Sequence, residues 1–130
     1  MALPPGITSN VIERRQINDE IEETYISATQ ASANCLTAVS QGKGNLHALY
    51  RDFYQYFYHL FDLTRDTKEI LDKESKICEE MNSWFVNQKN IISLPQKQII
   101  SLILEGIEYF RKYKKILSSG GIISLPSSKR

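Results

Sequence analysis

The chain is short of the residues that commit a sequence to a specialised class. Two cysteines in 130 residues are too few for a disulfide scaffold. No stretch approaches the ~18 consecutive apolar residues of a membrane-spanning helix. Charge of one sign is missing as well: 16 Lys and Arg stand against 15 Asp and Glu, a net +1. Without a global field, neither a polyanion nor an anionic membrane is expected to be held by the whole surface. Glycine and proline are scarce and cluster at Pro4–Gly6, Gly42/Gly44, Pro95 and Gly120/Gly121/Pro126, with only Gly106 inside a periodic segment. Neither residue occurs between Asn45 and Leu94, and no Val/Ile/Thr-rich alternation marks a strand. The opening Met1-Ala-Leu-Pro-Pro-Gly6 lacks the positive start and apolar centre of a signal peptide. These absences predict a soluble, cytoplasmic, all-α protein whose single domain spans 1–130. Residues 1–9 form an N-terminal extension in this reading and 119–130 a C-terminal tail.

What is present is helical periodicity. A first helix is expected from an Asn10 cap with Glu13 at N3, running to about Gln41 before Gly42 and Gly44. Its spine, Ile17, Ile21, Thr24, Ala28, Ala31, Cys35 and Ala38, is built mostly of small residues, which allow close approach of a second helix. From Thr24 to Gly42 this segment carries no charge, so more than one of its faces is expected to be covered. Asn45 then caps a long heptad-spaced seam: Leu46, Leu49, Phe53, Tyr56, Leu60, Leu63, Thr67, Ile70, Glu74, Ile77, Met81, Trp84 and Gln88, a coiled-coil-like register. A turn near Thr64–Asp66, followed by Asp66 and Glu69 as a helix start, divides it. The last helix is expected from a Ser93 cap with Pro95 in its first turn, ending at Gly120 and Gly121. The architecture is an antiparallel up-and-down bundle of four helices, or of three if the central one is continuous.

Seven of the thirteen aromatic residues lie between Tyr50 and Phe61. An apolar arc wider than half the helix contacts two neighbours, or one neighbour and a partner chain. Tyrosine suits a half-wet interface, so Tyr50, Tyr54, Tyr56, Phe57, Tyr58 and Phe61 form the candidate interface. Glu74 is the one seam carboxylate; it needs a partner if buried and can fix register. The near-neutral total hides an asymmetry, because residues 94–130 carry net +5 and residues 1–93 net −4. Arg111, Lys112, Lys114 and Lys115, interleaved with Tyr109 and Tyr113, make a candidate basic patch. They also complement the C-terminal dipole of the last helix. The acidic run Asp19, Glu20, Glu22 and Glu23 is a candidate partner for that patch. The pentapeptide Ile91-Ile-Ser-Leu-Pro95 recurs as Ile122-Ile-Ser-Leu-Pro126, an apolar tail expected to pack on this bundle or on a neighbour.

Catalytic patterns are thin. His59 shares a polar stripe with Asp52, Gln55 and Asp62, and a His59–Asp62 contact at i,i+3 is expected. No second histidine stands at ligand spacing, so no metal site and no cofactor are predicted. Arg51 followed by His59 resembles the arginine–histidine motif of HEPN ribonucleases, small helical proteins. The seven residues separating them here exceed that family's spacing, and the resemblance would imply RNA cleavage by this pair. The leading expectation is a non-enzymatic helical interaction or assembly protein that self-associates through helical faces as a homo-oligomer, with no membrane partner. A nucleic-acid-associated module acting through the basic last helix is the alternative, ahead of a HEPN-like ribonuclease.

Overall fold

Where breakers are absent the backbone stays helical. The structure, a computed structural model, describes residues 7–88 and 93–123, with side-chain surroundings for 17–67, 76–88 and 93–123. Four helices make an antiparallel up-and-down bundle: α1 (Ile7–Gln41), α2 (Leu46–Thr64), α3 (Lys68–Val86) and α4 (Gln96–Ser119). The helix α1 starts three residues ahead of the expected Asn10, because the breakers Pro5 and Gly6 lie upstream and nothing from Ile7 onward interrupts it. The N-terminal extension is shorter by the same amount.

The central segment breaks where expected, giving four helices rather than three. Thr64 Oγ1 donates back to the Leu60 carbonyl at 2.8 Å, and Thr67, with ψ at 127°, is extended. The N-cap of α3 is therefore Thr67 and not Asp66. Asn45 caps α2 as its sequence implies, accepting from the Ala48 amide at 3.2 Å. The start of α4 is corrected: Pro95, extended at ψ 155°, is the N-cap, and its carbonyl accepts from Gln98 and Ile99. His47 Nε2 lies 2.9 Å from the Leu94 carbonyl and must be the donor, which ties the α3–α4 connection to the start of α2.

Two helix ends use the same device. Past α1, Gly42 has φ +66° while Lys43 donates to Ala38 and Gly42 to Val39; past α4, Gly121 has φ +74° while Ile122 donates to Leu117 and Gly121 to Ser118. Both are Schellman motifs, in which glycine accepts the left-handed conformation at little cost. The second one turns the chain so that Ile122 packs on the core and Ile123 is buried. The first two residues of the repeated pentapeptide thus cover this chain's own bundle; its remainder lies outside the described residues.

The core has two textures. Ile21, Ala28, Ala31, Cys35 and Ala38 are buried along α1, and the small ones among them let α2 pack closely along it. Ile17, expected to lead that spine, is exposed. The helices α2, α3 and α4 are instead held apart by rings. Phe57 sits at the centre, meeting Phe85 at 5.0 Å, Phe110 at 5.1 Å, Trp84 at 6.1 Å and Tyr113 at 6.3 Å between ring centroids. The Phe85 and Phe110 pairs are edge-to-face, an arrangement that adds to the burial it accompanies.

The buried positions of α2 are Leu46, Tyr50, Phe53, Phe57, Leu60, Phe61 and Thr64. The seam therefore keeps Leu46, Phe53 and Leu60 but replaces Leu49, Tyr56 and Leu63 by their following neighbours. Apart from Thr64, whose hydroxyl bonds to the Leu60 carbonyl, both sets of positions are apolar or aromatic, so spacing alone does not choose between them. The choice is made by the rings that α3 and α4 offer. Glu74 lies outside the residues whose side chains are described.

Candidate functional site

The aromatic stretch divides between core and surface. Tyr50, Phe57 and Phe61 are all but fully enclosed, which corrects their place in a candidate interface: their surface is already spent within one chain. Tyr54 is half-buried and donates from its hydroxyl to the Phe85 carbonyl at 3.0 Å. Tyr56 and Tyr58 remain exposed, at 38% and 41%. Tyr58 stacks on Tyr54, with centroids 6.1 Å apart and planes 9° from parallel, and sets an edge against Phe85. Val86 is exposed beside Phe85 in the chain. What α2 offers outward is this small tyrosine pair and not the whole arc.

The basic end of α4 is divided in the same way. Arg111 pairs with Glu108 at 2.8 Å, one turn back. Lys114 is half-buried, with Nζ 5.2 Å from the Phe110 ring centre and 5.6 Å from that of Tyr25. Burial, and then the neighbouring Arg111, pushes its ammonium pKa below the usual lysine value. Lys112 and Lys115 are exposed. Tyr113 is enclosed and hydrogen-bonded to Thr64, so it cannot stack on a base, and Tyr109 is half-buried. The patch is thus two outward lysines, one paired arginine and one lysine folded onto rings.

His59 takes a different partner from the expected Asp62. Its Nε2 lies 2.7 Å from Glu20 Oε2 on α1. Both side chains are about half exposed, so this pair contributes at most ~1 kcal/mol. Arg51 is exposed, and the two residues are separated by about 12 Å of rise along α2. They do not meet in one site, and His59 is occupied by Glu20. Asp62 instead stands 3.9 Å from Arg65. Among the described residues no group of His, Cys, Asp and Glu is arranged to hold a metal, and no helix is long and apolar enough to cross a membrane.

Two features of the surface stand out. The first is the outer arc of α1, opposite its alanine spine. Across 24–42, where charge is absent, that arc exposes Ile26 at 57% and Leu36 at 43%, with Ala33 between them and Thr37 beyond Leu36 also exposed. Gln30 and Asn34 bond to one another at 3.0 Å across one turn of it. The second is a groove of about 420 Å³ between α3 and α4. Glu79, Glu80, Ser83 and Asn87 line one side, Glu105 and Tyr109 the other, with Trp84 between. The groove was not anticipated from sequence, because Trp84 reads as a seam residue and its partners on α4 stand more than twenty positions away. The available signal was the polar line Glu79, Ser83 and Asn87, at i, i+4 and i+8 beside Trp84. Comparison with known proteins finds no family model, no curated protein and no solved structure that matches this chain.

Proposed function

We propose that this chain is a non-enzymatic helical assembly protein that self-associates through the outer arc of α1. The observation that carries the reading is the 19-residue charge-free stretch from Thr24 to Gly42 on a helix whose inner face is already covered. A helix that faces water along one side ordinarily carries charge there. This one presents Ile26 and Leu36 among alanine, serine, threonine and amide side chains. Such a surface lets a second copy approach closely and carries no charge that must lose its water on contact. A closed twofold pairing of α1 against α1 uses the same surface on both copies.

The test is light scattering on the intact chain over a wide concentration range. The mass is expected to rise from the 15.0 kDa protomer toward twice that value. The pair Ile26→Glu and Leu36→Glu, both at exposed positions, should return it to the protomer with the melting temperature of the dilute protein unchanged. A protomer mass at every concentration would refute the reading.

A further inference from the structure

We infer that a second copy of this chain lies antiparallel on the outer arc of α1, about a twofold axis at Ala33. This rests on the self-association proposed above and adds its orientation and register. The charge-free stretch is bounded by an acid before its start, Glu23, and by a base past its end, Lys43. Ala33 stands midway between them. Both charges are exposed, and among the described residues neither enters an ion pair. A twofold axis at the midpoint brings Glu23 of each copy beside Lys43 of the other, at both ends of the contact. A parallel pairing in register sets Glu23 against Glu23 and Lys43 against Lys43, which repel.

The side chains between these two charges support the same register. Ile26, Gln30, Ala33, Thr37 and Ser40 are all exposed and follow 4-3 spacing without a slip, the period of a seam between paired helices. With the axis at Ala33, Ile26 meets Ser40 of the second copy and Gln30 meets its Thr37. Each of these layers joins a longer side chain to a shorter one, and the two alanines meet on the axis. The helices can then approach evenly along roughly 25 Å. Parallel pairing puts two isoleucines in one layer and two serines in another, which wedges one end apart. Gln30 donates one N–H to Asn34 Oδ1 at 3.0 Å and keeps its own Oε1 as an acceptor for the Thr37 hydroxyl of the second copy. Because both copies use the same surface, the contact closes at two.

Cross-linking and charge exchange test the pairing on the intact chain. Both native cysteines are buried, so Ile26→Cys and Ser40→Cys each add one exposed thiol. The two variants are oxidised singly and as an equimolar mixture. A disulfide-linked dimer is expected in the mixture and little in either variant alone. Linked dimers of the single variants, as abundant as in the mixture, would overturn the antiparallel register. So would a dimer mass in light scattering with no linkage in any sample. Both of those results leave self-association standing, whereas a protomer mass at every concentration removes the pairing together with the reading beneath it. Independently, Glu23→Lys and Lys43→Glu each put like charges together at both ends of the contact. Each should weaken dimerisation about tenfold, and the double variant, which restores opposite charges, should recover it. Single variants that dimerise as the wild type does, or a double variant no better than the singles, would refute the pairing of Glu23 with Lys43. The melting temperature of dilute protein should be the same in all three, since both positions are exposed.

Discussion

A single methyl group at Gly106 tests whether the ring layer between α3 and α4 is packed as tightly as the distances indicate. A Cβ at this position would stand 2.7 Å from Trp84 Cη2, 2.8 Å from Trp84 Cζ2 and 2.9 Å from Phe53 Cε2. None of these atoms has room to withdraw. Trp84 is enclosed by the rings of Tyr50, Tyr54, Phe57, Phe85 and Tyr109, and Phe53 is fully buried against Phe57 and Phe110. Overpacking of this kind costs ~1–3 kcal/mol. Against it stands the gain of ~1 kcal/mol from replacing glycine by alanine inside a helix. Gly106→Ala should therefore destabilise by about 0–2 kcal/mol, equivalent to a melting temperature lower by up to about 8 °C. Urea unfolding followed by circular dichroism measures the change. In a Trp84→Phe background, which lacks the two indole atoms in question, Gly106→Ala should be markedly less costly and can turn stabilising. A Gly106→Ala chain more stable than the wild type would refute the close approach. An equal cost in both backgrounds would show that Trp84 is not its cause.

Other consequences follow from the buried polar groups. Thr64 Oγ1 uses its hydrogen on the Leu60 carbonyl, so Tyr113 is the donor in their mutual bond. Thr64→Val, which strands the phenol, should cost ~1–3 kcal/mol, more than the ~0.5–1.5 kcal/mol of Tyr113→Phe, as read by denaturant midpoints. Tyr50 and Tyr113 are fully enclosed, and burial raises both phenols well above their ordinary range. The unfolded chain then loses those protons first, near pH ~10, so stability present below that pH should fall above it by ~1.4 kcal/mol per pH unit for each phenol. Thermal melts between pH 8 and 11 check the slope. Burial, and then the Asp52 carboxylate, pushes the Cys35 thiol up to about 12. Aromatic disulfide reagents at pH 8 should leave it unmodified until the chain is unfolded.

Much of the architecture is legible in the residues, and the failures have physical causes. Helix ends at Gly42 and Gly120/Gly121 and the cap at Asn45 follow from local chemistry that needs no tertiary partner. The alanine spine of α1 does too, since small residues at 4-3 spacing have one sensible use. The facing of α2 does not, because Tyr50 and Phe57 are as apolar as Leu49 and Tyr56, and rotation is decided by rings contributed from α3 and α4. The same cause moved Tyr113 from a basic surface into the core: its neighbours in sequence are lysines, but its neighbours in space are Thr64, Phe57 and Phe61. His59 reads as an i,i+3 partner of Asp62, and Glu20 on α1 reaches it first. The groove around Trp84 joins residues from two helices, so no window of sequence contains it.

The central claim concerns the outer arc of α1, and a spin label at its middle addresses it most directly. Ala33 is exposed, both native cysteines are buried, and Ala33→Cys is therefore labelled selectively in the folded chain. A second sample carries the label at Lys112→Cys on α4, also exposed. Dipolar spectroscopy on singly labelled protein detects only contacts between copies. The α1 pairing predicts a strong intermolecular coupling from position 33 that grows with concentration, and a weaker one from position 112. No coupling from position 33 at any concentration, or a stronger one from position 112, would contradict it.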